Sequence, residues 1–178
     1  MALKATIFKA VVNVSDLDRG VYLDQTLTLA RHPSETDERM MVRLLAWVLN
    51  ADPLLEFTKG LCADDEPELW QKELHGEIAH WIEVGLPDEK RLKKACNRSA
   101  RVSLYVYGAR AAQVWWQQNS TQLAKLSNLA VYFCPDELSQ TLAAQATRSM
   151  SWQATISDGT VWLSSGDLSL DFVPTRWQ

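Results

Sequence analysis

The sequence offers little of what marks a disulfide-bonded, metal-stapled or membrane-spanning chain. Its 178 residues hold three cysteines, Cys62, Cys96 and Cys134. They are odd in number, far apart and never in a CxxC pair, which argues against a disulfide framework and a structural zinc site. His32, His75 and His80 share no HxxxH spacing and do not sit with the cysteines. No apolar run reaches the roughly 18 residues that a membrane span needs. The opening MALKATIFKAVVNVSD carries lysines within its apolar stretch and lacks a small-residue cleavage site, so no secretion signal is expected. A reducing cytoplasm is the expected location, without membrane attachment. Glycine-rich phosphate loops and a GxSxG elbow are absent. Eighteen Lys and Arg against 22 Asp and Glu leave a net charge of −4. That excludes a protein that coats nucleic acid by bulk charge, but not a local basic face. Tryptophan is the residue in excess: eight, expected in core or interface.

Residues 1–178 fit one domain, with no repeat, low-complexity tract or long linker. Thr6 to Val14, the turn cluster Ser15 to Gly20 and the alternating Val21 to Ala30 predict an opening β-hairpin. Ser34 is the expected N-cap of a helix over Thr36 to Leu49. Strands are expected at Leu54 to Cys62, around Leu69-Trp70 and at Ile78 to Val84. Pro87 then opens a helix to about Ser99. Strands at Val102 to Tyr107 and Asn128 to Cys134 alternate with helices at Arg110 to Leu126, with a break near Asn119-Ser120, and at Pro135 to about Thr147. The C-terminal part reads as strands at Met150 to Ile156, Val161 to Ser164 and Leu168 to Val173, with Asp158-Gly159 as a tight hairpin turn. The alternating centre predicts an α/β (α+β) fold: a mixed sheet with helices on both faces, flanked by additional antiparallel β strands at both termini.

Three groups of residues carry potential chemistry. At about 100° per residue, Glu35, Arg39 and Arg43 fall within roughly 80° of one another, opposite Met40, Leu44 and Val48. They are either i,i+4 pairs on a solvated face or a carboxylate with phosphate-holding arginines. In the second group, the acidic run Asp64 to Glu68 precedes a short strand, and Glu83 lies between apolar neighbours in Trp81-Ile82-Glu83-Val84-Gly85. A carboxylate there is costly to bury unless it is paired, hydrogen-bonded or metal-bound. A hairpin-like pairing that brings Glu68 to Glu83 would make an oxygen-rich site suited to Mg²⁺ or Mn²⁺. The other reading is a solvated loop with a paired edge residue. Lastly, Lys90, Lys94 and Arg98 recur at i, i+4 and i+8, as solvated lysines or as an amine beside that site.

The stretches His32 to Thr36, Glu38-Arg39, Arg43 to Ala46, Asp65 to Trp70 and Trp81 to Lys90 resemble the YaeQ family, over essentially the whole chain. The resemblance implies a small cytoplasmic bacterial protein with a variant of the PD-(D/E)XK, restriction-endonuclease-like core and added β structure. Pro67-Glu68 then takes the place of the Pro-Asp pair and Glu83 the acidic position of (D/E)XK. Gly85 stands where the lysine belongs, and Glu35 or Glu38 would be the helix carboxylate. Two function classes follow. One is a Mg²⁺-dependent nuclease on nucleic acid, with Glu68, Glu83 and Glu35 or Glu38 at the metal, Lys90 or Lys94 replacing the lysine, and Arg39 and Arg43 on phosphate. The other is a non-catalytic binding or accessory protein on a degenerate scaffold, linked to transcription.

Overall fold

A computed structural model describes residues 4–178. Two hairpin-rich regions far apart in sequence build one sheet. Strand β1 (Thr6–Asp16) pairs antiparallel with β2 (Val21–Arg31). Near the other end, β8 (Ser149–Ser157), β9 (Thr160–Ser165) and β10 (Leu168–Phe172) form an antiparallel meander. The two are joined by a parallel pairing of β1 with β8, with Val12 opposite Trp152, giving the order β10-β9-β8-β1-β2. Alternation decides the faces: Ala10, Val12 and Val14 are buried, while Lys9, Val11 and Asn13 face solvent. The Asp158-Gly159 turn has φ of 50° and 75°, as a two-residue hairpin of the expected kind requires. Asp18 accepts from both backbone N–H groups of that turn, at 2.7 and 2.9 Å, and ties it to the first hairpin's loop.

The central sheet has the order β11-β7-β6-β5-β4-β3. Its members are β3 (Leu55–Phe57), β4 (Leu69–Lys72), β5 (Ile78–Val84), β6 (Ser99–Val106), β7 (Leu129–Phe133) and β11 (Thr175–Arg176). β5, β6 and β7 are parallel; β3, β4 and β11 add antiparallel edges. Helices α2 (Glu89–Arg98) and α3 (Ala109–Leu123) cover one face through Leu92, Ala95, Ala112 and Trp115, against Trp81, Val102, Leu104 and Val131. Helix α1 (Asp37–Leu49), with α4 (Asp136–Ala144), fills the space between the two sheets. Every α1 residue from Met40 to Val48 is buried. The order of layers is therefore terminal sheet, α1 and α4, central sheet, α2 and α3. This is the expected mixed sheet with helices on both faces, and the flanking strands form a second sheet over α1.

Several boundaries differ from the sequence reading, each for a local reason. The N-cap of α1 is Thr36, whose Oγ1 accepts from the Arg39 N–H at 3.1 Å; Ser34 instead bonds the His32 ring. The strand expected over Leu54 to Cys62 ends at Phe57, because Lys59 turns helical and Gly60 takes φ 55°, opening a 3-10 turn at Gly60–Cys62. Asn119-Ser120 does not break α3; the Asn119 side chain donates to the Trp115 carbonyl one turn back. Among the described residues no helix is long and apolar enough to cross a membrane.

Candidate functional site

Strand register sets the site. Leu69 pairs with Ile82, and the Glu68 N–H donates to the Ile82 carbonyl at 3.0 Å, so Glu68 enters β4 opposite Glu83. Both carboxylates open onto one cleft of about 410 Å³, with Arg39, Gly60, Gly85 and Arg91 in its walls. Glu68 is 3% exposed and Glu83 2%. Carboxylates this deep require compensation, and it arrives from opposite sides of the central sheet.

From α1, Arg39 donates to Glu68 Oε1 at 2.5 Å and to Glu35 Oε1 at 3.0 Å. Arg43 holds Glu35 bidentately, at 2.7 and 2.8 Å, and its Nε lies 3.8 Å from Glu68 Oε2. The acid–base–base stripe expected on this helix is thus a buried network that reaches β4, not a solvated face. Burial alone would lower the pKa of Arg39, but its bonding and charge pairing with Glu68, then Glu35, outweigh that and raise it. Glu35 spends both oxygens on guanidinium groups. Glu38, the other helix carboxylate expected in the site, points elsewhere: Ser139 Oγ of α4 donates to it at 2.6 Å.

From α2, Arg91 donates through Nε to Glu83 Oε1 at 2.9 Å, and through its terminal nitrogens to the Asp64 and Glu66 carbonyls at 2.9 and 2.8 Å. The Trp81 indole N–H also donates to Glu83 Oε1, at 2.8 Å. Burial raises the Glu83 pKa; Arg91 and Trp81 oppose it and Glu68 adds to it. The cation beside Glu83 is therefore Arg91, not Lys90 or Lys94. Lys94 pairs with Asp65, holding that carboxyl below its usual range. Arg98 donates to the Asp65 carbonyl and lies over Trp81, and Lys90 is exposed. Lys94 and Arg98 of the basic stripe strap the acidic loop rather than facing the carboxylates. Arg91 lies about 100° off that stripe, so i,i+4 spacing passed over it; its place in the first turn after the N-cap Asp88 was the available signal.

One oxygen in this network stands apart. Glu68 Oε2 is fully buried and, among the described residues, has no hydrogen-bond partner. A Cβ built at Gly60 would lie 3.0 Å from it, so the glycine leaves it room. Gly85, in the position expected of a lysine, has φ 107°. A side chain there is strained whatever the space; the backbone, and not only the side chain, departs from a lysine-bearing strand.

A further polar cluster is ruled out as a nucleophile. Buried His80 takes a bond from Arg101 at Nδ1, 2.9 Å, which makes Nε2 the donor to Ser103 Oγ at 2.8 Å. This tautomer cannot accept the serine proton. Burial, then Arg101 and Arg19, pushes the His80 pKa down to about 3.

The architecture has close counterparts. A family model described as YaeQ protein matches residues 1–174. The uncharacterized protein YaeQ of Escherichia coli (strain K12) is 57% identical over 178 residues, covering 100% of this chain and 98% of the relative. Its counterpart in Salmonella typhi is 56% identical over the same span. Among solved structures, the YaeQ protein from Xanthomonas axonopodis pv. citri superposes with a TM-score of 0.93 at 42% identity, covering 98% of each chain. The YaeQ protein from Pseudomonas syringae also gives 0.93, at 38% identity, covering 98% of this chain and 96% of that one.

Proposed function

The chain belongs to the YaeQ family, and from that premise we propose that its cleft is a divalent-cation site acting on nucleic-acid phosphodiesters, on a variant of the PD-(D/E)XK scaffold, in the cytoplasm. The observation that carries the reading is the Glu68–Glu83 pair set opposite each other by strand register, with Glu68 Oε2 buried and unpartnered among the described residues. Among the described residues no three His, Cys, Asp or Glu side chains converge on one point. A cation held by Glu68 and Glu83 would keep its other positions for water and phosphate, as Mg²⁺ favours. When bound, it supplies Lewis-acid polarisation of a phosphodiester oxygen.

The protein's own groups do the rest. Arg39 and Arg91 each hold one carboxylate at the cleft wall and bring positive charge to where a phosphodiester would lie. Glu83 takes both of its bonds on Oε1, which leaves Oε2 as the oxygen that would face the cation. Glu35 and Arg43 position Arg39 without touching substrate.

The test is cleavage of labelled oligonucleotides with Mg²⁺ or Mn²⁺ by wild type, Glu83→Ala and Arg91→Ala, with cation binding followed by calorimetry. Activity lost in both variants is expected, with cation binding lost in Glu83→Ala. Activity that survives Glu83→Ala refutes the assignment. A second reading is favoured by the positive φ at Gly85 and the guanidinium partner on each carboxylate: a non-catalytic module that binds nucleic acid or protein. Cation or nucleic-acid binding without cleavage in any preparation selects it.

A further inference from the structure

A second cavity, of about 300 Å³, shares no wall with the Glu68–Glu83 cleft. It lies where β6 and β7 of the central sheet approach β10 of the terminal sheet, closed by α1, α4 and residues 173–175. Its size falls at the lower end of small-molecule sites, roughly 300–1,000 Å³.

The chemistry of the walls is one-sided. Tyr105, Tyr132 and Phe172 line it; Phe133 borders it too, but its ring is stacked on Trp177. The two tyrosine rings stack with centroids 5.2 Å apart and planes 15° from parallel, each covering one face of the other. The Tyr105 hydroxyl is occupied by Asn50, at 2.7 Å. Glu137 and Thr141, one turn apart on α4, supply a carboxylate and a hydroxyl, and Asp171 and Thr175 at the cavity's other side supply a second of each. Among the described residues, no Lys, Arg or His lines the cavity. The carboxylates of Glu137 and Asp171 put full negative charge at its border, an aromatic face left free adds negative quadrupole charge, and no basic residue among the described lining residues opposes them. Such a lining attracts cations and rejects anions.

We propose that this cavity binds a small organic ammonium ion with an apolar body, the body against Leu45, Leu138 and the tyrosine stack and the charged end toward Glu137. The body gains from leaving water; the ammonium gains from the aromatic faces and the carboxylate. An anionic ligand of the same shape loses on both counts.

Three probes with one phenyl ring and different charge test this on the full chain: benzyltrimethylammonium, 3-phenylpropanol and 3-phenylpropionate, titrated with calorimetry and ring-proton NMR. The cation is expected to bind at least about fivefold tighter than the alcohol, with the propionate weakest and the shifts centred on Tyr105 and Tyr132. Glu137→Gln, at an exposed position, narrows the cation–alcohol gap while leaving alcohol binding in place. Thr141→Phe fills the cavity and abolishes all three, with the melting temperature as a folding control. Equal binding of cation and propionate overturns the proposal. So does binding of none, an unchanged gap in Glu137→Gln, or shifts that map to the Glu68 cleft.

Discussion

Replacing Gly60 with alanine separates two costs that the structure keeps distinct. One is conformational: φ of 55° is left-handed, and a side chain there costs about 1–2 kcal/mol. The other is contact: the new methyl would lie 3.0 Å from Glu68 Oε2. That oxygen belongs to a buried carboxylate pinned by Arg39, so it cannot swing aside as a surface side chain would. Overpacking of this kind costs about 1–3 kcal/mol. Gly20 is the control, with φ 67° and nothing within 4 Å of an added Cβ. Gly20→Ala should therefore show the conformational cost alone, and Gly60→Ala that cost plus about 1 kcal/mol or more. For a chain of this size 1 kcal/mol shifts the melting temperature by about 2–4 °C. Thermal and urea unfolding of both variants, each with and without Mg²⁺, measure the difference. If Gly60→Ala unfolds no more easily than Gly20→Ala, the oxygen is not held where the structure places it. Its role as a cation ligand then falls with it.

Three more outcomes follow from single contacts. Arg43→Ala leaves Glu35 buried with Arg39 as its remaining partner, and should cost about 3 kcal/mol or more in urea unfolding; a loss below 1 kcal/mol would contradict the burial of the pair. His80 stays neutral in the folded state down to about pH 3 but titrates near 6.5 once unfolded, so the unfolded state binds more protons between those values. Stability should fall as pH drops below 6.5, by up to about 1.4 kcal/mol per pH unit, and His80→Gln should flatten that slope. Asp18→Ala removes the acceptor of two turn N–H groups and should cost about 1–2 kcal/mol, with hydrogen exchange faster at Asp158 and Gly159 than elsewhere in the terminal sheet.

Elements whose apolar period was long and clean were readable directly: the hairpin β1–β2, helix α1 and the parallel strands β5 and β7. Glu83 stood out because a charge amid Trp81, Ile82 and Val84 has no inexpensive solvated explanation, and Glu68 because a short antiparallel return would bring it alongside. The sequence could not say which cation answers each carboxylate. That depends on how α1 and α2 are laid across the sheet, and pairings such as Arg39–Glu68 or Arg91–Glu83 are tertiary rather than periodic. Lys90, Lys94 and Arg98 misled because a regular stripe looks purposeful; Lys94 and Arg98 strap a loop. Glu38 was drawn into the site as one of two candidates for the helix carboxylate that the resemblance implies, whereas α4 packs beside it and claims it through Ser139.

The parallel seam between β1 and β8 fixes the order in which the molecule can be built. Lys9 to Asp16 must wait for Ser149 to Ile156, so a chain emerging from the ribosome makes its first hairpin long before that hairpin's inner neighbour exists. Until then one edge of β1 is bare. Closure across so long a stretch is slow compared with forming helices. The nascent protein thus passes through a period in which an open strand edge invites pairing with other chains. Shortening the chain before Ser149 would make that period permanent, and the product is expected to accumulate as aggregate rather than as a smaller folded domain.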